Sequence, residues 1–443
     1  MRGSAHPANI ATLPMGRSFE KAALVCAVLF IASNAVADDL SLQSVVELSL
    51  SRNERAEIAE QNVISAEAAV SKARAAFLPS ITLSANETLR PQEVDNNGRV
   101  ALRSNAASAA LTVSQTLLNA GAFPLYSAAK HSYDSARFNH DDQRRQLAFD
   151  AARAFFSVVA QQRVLKAANS RRDLAAATLN DTQVRASSGL VSSNDVTRSE
   201  IERASAEQST INANNSLQAA RFNLEYLIAA PLEIETDLAA PTQTLAPVSQ
   251  SLAGLVNLAI ATRPDLAALR ANAASASALA EEPGLRFVPT LGASAQARTQ
   301  DQAIVGDRYV DTTLTINFNW QIWDGGSRSA DSSSRNAAHR AAELQLRSLA
   351  RRVETDVRVA VAELSAARAA LIAAQQGQDA ARRSEEETSV LYKQGLAKAI
   401  ELVNGNSSKF DAEVAVAAAE LNVRQAELDL RSALGLFPLD GLQ

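Results

Sequence analysis

The 443-residue chain carries 43 Lys and Arg against 48 Asp and Glu, is 47% hydrophobic, and contains one Cys. That apolar fraction is ample for a folded core. A formal net charge of −5 with no basic cluster interleaved with aromatics argues against a nucleic-acid partner, and one cysteine cannot form a disulfide within the chain.

Residues 1–37 read as an export signal. Arg17 and Lys21 precede the apolar run Ala22–Ala32, and Ala35-Val36-Ala37 supplies small residues for cleavage before Asp38. Met15 is an alternative start. Cys26 lies inside the apolar run, so the mature chain is expected to have no thiol and no thiolate metal site.

The remainder repeats itself at an offset of about 205 to 210 residues. Val46–Asn53 recurs as Val256–Arg263, Ala76-Phe77-Leu78-Pro79 as Arg286-Phe287-Val288-Pro289, and Ser188-Gly189-Leu190 as Gln394-Gly395-Leu396. We therefore expect two tandem copies, 38–240 and 241–443. Each reads helix, strand, loop, strand, long helix, turn, long helix.

In the first copy a helix is expected from about Leu42 to Phe77, ending at Pro79. Strands follow at about 80–90 and 109–118, the second with Gln115 as an exception on its apolar face. In the second copy the strands fall at about 290–299 and 312–323. Leu314, Ile316, Phe318, Trp320 and Ile322 share one face of that last strand, and Thr315, Asn317, Asn319 and Gln321 the other. A wall between lipid and water has this pattern, although a half-buried strand of a soluble sandwich shares it. Phe123, Tyr126, Tyr309, Trp320 and Trp323 sit at or near strand ends, as membrane-interface aromatics do; packing where strands meet helices is the alternative. Gly121, Gly325 and Gly326 are expected to permit the turn from strand to helix.

No proline interrupts the chain from Leu125 to Ala230 or from Thr290 to Phe437. Leu346, Ala350, Val353, Val357, Ala360, Leu364, Ala367, Leu371 and Ala374 alternate steps of four and three, the heptad signature of a coiled coil. Leu147, Ala151, Ala154, Val158, Gln161, Leu165 and Ala168 keep the same register in the first copy. Each long helix is expected to turn back at Gly189 or Gly395. Judged from the helices alone, a soluble stalk and a conduit are equally good readings. The four His are scattered, no nucleophile elbow, phosphate loop or paired-carboxylate motif stands out, and Glu385-Glu386-Glu387 reads as a solvated helix face. No catalytic, cofactor or metal site is expected.

The chain resembles the TolC-like outer membrane efflux protein family along essentially its whole mature length. The matching pieces are Phe77-Leu78-Pro79-Ser80, Trp323-Asp324-Gly325-Gly326, Gly189-Leu190-Val191 with Asp195, Tyr392-Lys393-Gln394-Gly395-Leu396 with Glu401, and the closing Ala426–Gly435. The resemblance implies a mainly α-helical fold with a transmembrane β-barrel part, arranged as a homotrimeric α/β barrel duct in outer-membrane lipid. It implies the exit duct of a tripartite efflux pump or type I secretion system, docked to a periplasmic adaptor (a membrane fusion protein) and an inner-membrane pump.

Site residues follow from the same resemblance. Asp195 and Tyr392 match positions that hydrogen-bond between hairpins in the closed state. Asn194 matches a position whose partner is basic; that partner position reads Ala397, with Lys398 beside it. Glu401 matches one acidic position of the constriction, and the next reads Asn404. The adaptor-docking candidates are Gly189, Leu190 and Val191 at one turn and Gly395, Leu396 and Ala397 at the other. Without the resemblance, Asp195 reads as a helix cap and Tyr392 as packing at the turn. A periplasmic adaptor or a coiled-coil scaffold without a pore is the alternative function.

Overall fold

A computed structural model of the chain describes residues 40–92, 94–96, 99–102, 104–232, 251–304 and 308–439, with backbone only at 94–96, 99–102, 301–304 and 308–309. The export signal, with Cys26 and Met15, lies outside the described residues. The helices are α1 (Leu42–Arg52), α2 (Glu54–Arg74), α3 (Ala122–Ser187), α4 (Ser193–Ile228), α5 (Leu252–Thr262), α6 (Pro264–Leu285), α7 (Ser327–Lys393) and α8 (Ala399–Ala433). The strands are β1 (Ser80–Leu89), β2 (Val94–Asn96), β3 (Arg99–Leu102), β4 (Asn105–Leu118), β5 (Thr290–Ile304) and β6 (Arg308–Asn319). The fold is mainly α-helical with one four-stranded sheet and a small β2–β3 ribbon.

Where one helix was expected over 42–77, two form, because Asn53 is extended rather than helical (φ −77°, ψ 130°). Its side-chain oxygen accepts the Arg55 N–H and caps α2. Its amide donates to the carbonyls of Tyr226 and Leu227, which the end of α4 leaves without helical partners. Asn53 thus begins one helix and closes another whose carbonyls lie 173 and 174 residues away. The matching break between α5 and α6 falls at Arg263, ahead of Pro264. There Thr262 Oγ1 donates to the Leu434 carbonyl at the end of α8. Arg263 pairs with Asp265 (2.7 Å) and with Asp356 of α7 (3.2 Å).

Part of each heptad run forms the core, while Leu346, Ala350, Ala367, Leu371 and Ala374 of α7 and Gln161 and Leu165 of α3 are only half-buried. Val353, Val357, Ala360 and Leu364 of α7 are buried against α5 and α8. Leu147, Ala151, Ala154 and Val158 of α3 are buried with Phe149, Phe155 and Phe156 against α1, α4 and α8. Small alanines let the backbones approach, and the three rings fill what the alanines leave open. One reading is corrected: Glu385 is buried (7% exposed) and accepts from Lys409 of α8 at 3.1 Å, whereas Glu386 and Glu387 are exposed. Its position, 21 residues (three heptads) beyond Leu364, puts it on the seam.

The sheet is antiparallel throughout, in the order β1-β4-β5-β6. Its last strand ends at Asn319, not at Trp323 as expected. The backbone of 320–323 leaves the ladder to meet Arg328, which donates to the carbonyls of Gln321, Ile322 and Arg286 and pairs with Asp324 (2.9 Å). Gly325 and Gly326 have positive φ at this bend. Gly121 does not (φ −67°), so the bend before α3 places no such demand on it.

Candidate functional site: the sheet wall and the helical tips

The paired register makes the sheet a wall with unlike faces. Ile81 and Leu83 of β1 face Val113 and Leu111 of β4, which face Ala295 and Ala297 of β5; Leu314 and Ile316 of β6 face Ala295 and Ala293. All of these lie on one face. The other face carries Thr82, Ser84, Asn86, Thr112, Ser114, Ser294, Gln296, Thr313, Thr315 and Asn317. In a single chain the apolar side chains lie open, with Leu83 and Leu314 each 75% exposed. Removing such a side chain from water is worth roughly 1.5–3 kcal/mol. Among the described residues, both outer strands, β1 and β6, keep one unpaired edge. A lone sheet of this kind is incomplete.

Gln115, the exception on the apolar side of β4, donates from Nε2 to the carbonyl of Phe77, ahead of Pro79. Likewise, Trp320 Nε1 donates to the carbonyl of Phe287, ahead of Pro289. Phe123 packs tilted and Tyr126 edge-on against Phe77, at 5.1 and 6.0 Å between ring centroids. Four of the five aromatics singled out therefore gather where strands meet helices, with Phe123, Trp320 and Trp323 exposed. The fifth, Tyr309, lies at the start of β6, and its side chain falls outside those described.

At the far end of the helices the two turns share one geometry. Gly189 and Gly395 both have φ 75°, which an L side chain rarely adopts. Leu190 N–H donates to Arg185 O and Gly189 N–H to Ala186 O; Leu396 N–H donates to Leu391 O and Gly395 N–H to Tyr392 O. Each is a Schellman closure, which satisfies carbonyls a helix end leaves free. Leu190 and Leu396 protrude, 74% and 72% exposed, with Val191 and Ala397 half-buried beside them.

Asp195 is the N3 residue of α4 in a capping box: its carboxylate accepts the Ser192 N–H at 3.2 Å, and its own N–H donates to Ser192 Oγ at 3.3 Å. Tyr392 is buried (4% exposed) with its hydroxyl 3.3 Å from Thr182 Oγ1. Thr182 accepts from Ser199 of α4 at 3.3 Å. Within one chain, then, Asp195 and Tyr392 are each engaged, but with Ser192 and Thr182 rather than with each other. Lys398 is the N-cap of α8 and makes no side-chain cap; Asn194 and Glu401 stand exposed in the first turns of α4 and α8. Thr182, Arg185 and Ser199 were not foreseen as site residues. The burial of Tyr392, already a gate candidate, agrees with the heptad spacing: it lies seven residues beyond Glu385, on the same buried seam. Among the described residues, no group of three or more His, Cys, Asp or Glu is placed to hold a metal ion.

A family model described as outer membrane efflux protein matches residues 45–230 and 255–436. The chain is 23% identical to outer membrane protein TolC of Escherichia coli (strain K12) over 382 residues, covering 83% of this chain and 76% of TolC. It is 26% identical to outer membrane efflux protein BepC of Brucella suis over 324 residues, covering 71% and 69%. The CmeC outer membrane channel of Campylobacter jejuni superposes with a TM-score of 0.79 at 16% identity, over 90% of this chain and 86% of CmeC. The MtrE outer membrane channel of Neisseria gonorrhoeae, solved in its open state, gives 0.77 at 20% identity, over 92% and 94%. At these identities the structural likeness is one of fold.

Proposed function

The chain belongs to the outer membrane efflux protein family, and from that premise we propose that it works as a homotrimeric exit duct, gated at its helical tips. It is an outer-membrane protein that provides passage. The observation that carries the rest is the two-faced sheet with two unpaired edges. Its order makes β1 and β6 antiparallel to each other, so β6 of one copy can continue onto β1 of the next without breaking the ladder. Such a head-to-tail interface closes into a ring when the rotation allows. One copy is too few strands to close; two would give about eight, whose interior side chains fill, whereas three give about twelve and leave a water-filled lumen. The apolar face then meets lipid, and the hydroxyls and amides face water.

The helices carry the duct away from the membrane. At 1.5 Å per residue, α3 and α7 each span roughly 100 Å. Their turns are its far end, and there the exposed Leu190 and Leu396, with Gly189, Val191, Gly395 and Ala397, offer a surface for a periplasmic adaptor that links to an inner-membrane pump. Asn194, Asp195, Tyr392, Lys398 and Glu401 are the gate candidates. A ring of Glu401 carboxylates, one from each copy, would draw cations and repel anions at close range. The repeats 38–240 and 241–443 each supply one hairpin of strands and one of helices.

Single-channel conductance in planar bilayers tests this reading, for wild type and for the double variant Tyr392→Phe with Asp195→Ala. Small cation-selective steps that grow in the double variant are expected. Large steps in both proteins would keep the duct and remove the gate. Protein that is folded and soluble without detergent and forms no channels would favour the adaptor or scaffold alternative.

A further inference from the structure

The gate reading leaves one position unexplained: where the resemblance implies a basic residue, this chain has Ala397, and the neighbouring Lys398 is exposed. A cation does stand at the seam between the two helical hairpins, and it comes from the other one. Arg185 lies in the last turn of α3. Its Nη1 donates to the main-chain carbonyl of Tyr392 at 3.3 Å, and its guanidinium carbon lies 4.7 Å from the centroid of the Tyr392 ring. Asp181, one turn back on α3, accepts from Arg185 Nε at 2.9 Å and so orients the fork.

Tyr392 is therefore held from α3 at three points. Its ring face meets the guanidinium, its hydroxyl meets Thr182 of α3, and its carbonyl meets Nη1. That carbonyl is one of the last of α7, where the helix dipole places partial negative charge, and a cation there is favourable. The ring is buried, so the contact is partly desolvated, the condition under which a cation over an aromatic face is strongest. The flat guanidinium stacks and hydrogen-bonds at once, which an ammonium does less well.

We infer that Arg185 is the clasp between the hairpins: a positioning residue that holds α7 against α3 and keeps the tip closed, in the role left open by Ala397. The inference rests on the gate reading above. For α7 and α8 to swing away from α3 and α4, all three Tyr392 contacts must break together. Breaking the Arg185 contacts alone weakens the closed state without touching the strands or the core of the helices.

The test is open probability in planar bilayers for Arg185→Gln, Arg185→Lys, Tyr392→Leu and the double variant Arg185→Gln with Tyr392→Leu. Arg185→Gln is expected to raise open probability roughly 3- to 10-fold, with Arg185→Lys between it and wild type. In the Tyr392→Leu background, Arg185→Gln should add less than about twofold, because its main partner is gone. Assembly and melting temperature should stay near wild type, as a merely structural residue would not allow. If Arg185→Gln stays as closed as wild type while Tyr392→Phe with Asp195→Ala opens, the gate stands and the clasp is overturned. Full, independent effects of Arg185→Gln and Tyr392→Leu also overturn it. If neither set of variants opens the channel, the gate reading falls and the clasp with it. Should Arg185→Gln fail to assemble, Arg185→Lys decides: higher open probability supports the clasp, and wild-type behaviour overturns it.

Discussion

The two helical hairpins, α3 with α4 and α7 with α8, have nearly equal lengths and the same glycine closure, yet they are stabilised differently. Around residues 147–160, α3 is buried on almost every side, with Phe149, Phe155 and Phe156 in its core. The stretch of α7 at the equivalent offset buries one stripe, of valine, alanine and leucine, and leaves its other faces open. The tips differ in the same direction. α4 starts from a complete capping box, while α8 starts at Lys398 with no side-chain cap. One hairpin is thus wrapped in the chain's own core and the other keeps exposed faces, the arrangement expected of an element that packs against further copies.

Four substitutions break or sharpen this contrast. Phe155→Ala removes a fully buried ring and should cost about 3–5 kcal/mol, against roughly 1.5–2.5 kcal/mol for Val357→Ala in the second hairpin. Denaturant unfolding of the two variants would measure the gap, and equal losses would erase the asymmetry. Ser192→Ala deletes the α4 cap at a cost of about 1 kcal/mol. Faster hydrogen exchange confined to residues 193–197 would register it. Lys398→Ser supplies the missing cap, with Glu401 three residues on completing the capping-box spacing, and should slow exchange in the first turn of α8 by the equivalent of about 0.5–1 kcal/mol.

The smallest effect concerns the breaks in the first helices. Asn53 holds its break with an uncharged amide, whereas Arg263 and Asp265 hold theirs with a charge pair. Burial alone would raise the Asp265 carboxyl, but the hydrogen bond and charge of Arg263 outweigh it and hold the group below its ordinary range. A depressed carboxyl contributes stability that is present above its unfolded pKa, near 4, and is lost as pH falls through the lower folded value. The difference in melting temperature between wild type and Asp265→Asn should therefore shrink as pH drops below about 4. Asn53→Ala should show a pH-independent loss over the same range.

Much of this architecture is legible in the linear order of residues. Heptad spacing announces the seams of α3 and α7, because a side chain three or four positions along a helix must fall on the same face. Gly189 and Gly395 announce the turns, because few other residues tolerate a positive φ there. Alternation in β1, β4 and β6 announces a wall with unlike faces, because strand side chains alternate. The duplication of all these signals carries the family resemblance. These are local properties, set by backbone geometry and written in short windows.

Other features were decided only when distant segments met. Asn53 breaks what would be one helix because the end of α4 presents carbonyls for its amide to satisfy. β6 stops at Asn319, opposite Thr290, because the next residue of the partner strand is Pro289, which has no N–H to give the ladder; Arg328 then takes the carbonyls of Gln321, Ile322 and Arg286. Tyr392 finds Thr182 and Arg185, and Glu385 finds Lys409, through packing that no window of neighbouring residues encodes. A hydrogen bond or ion pair is a demand that any suitable partner can meet, and the tertiary fold chooses which partner arrives.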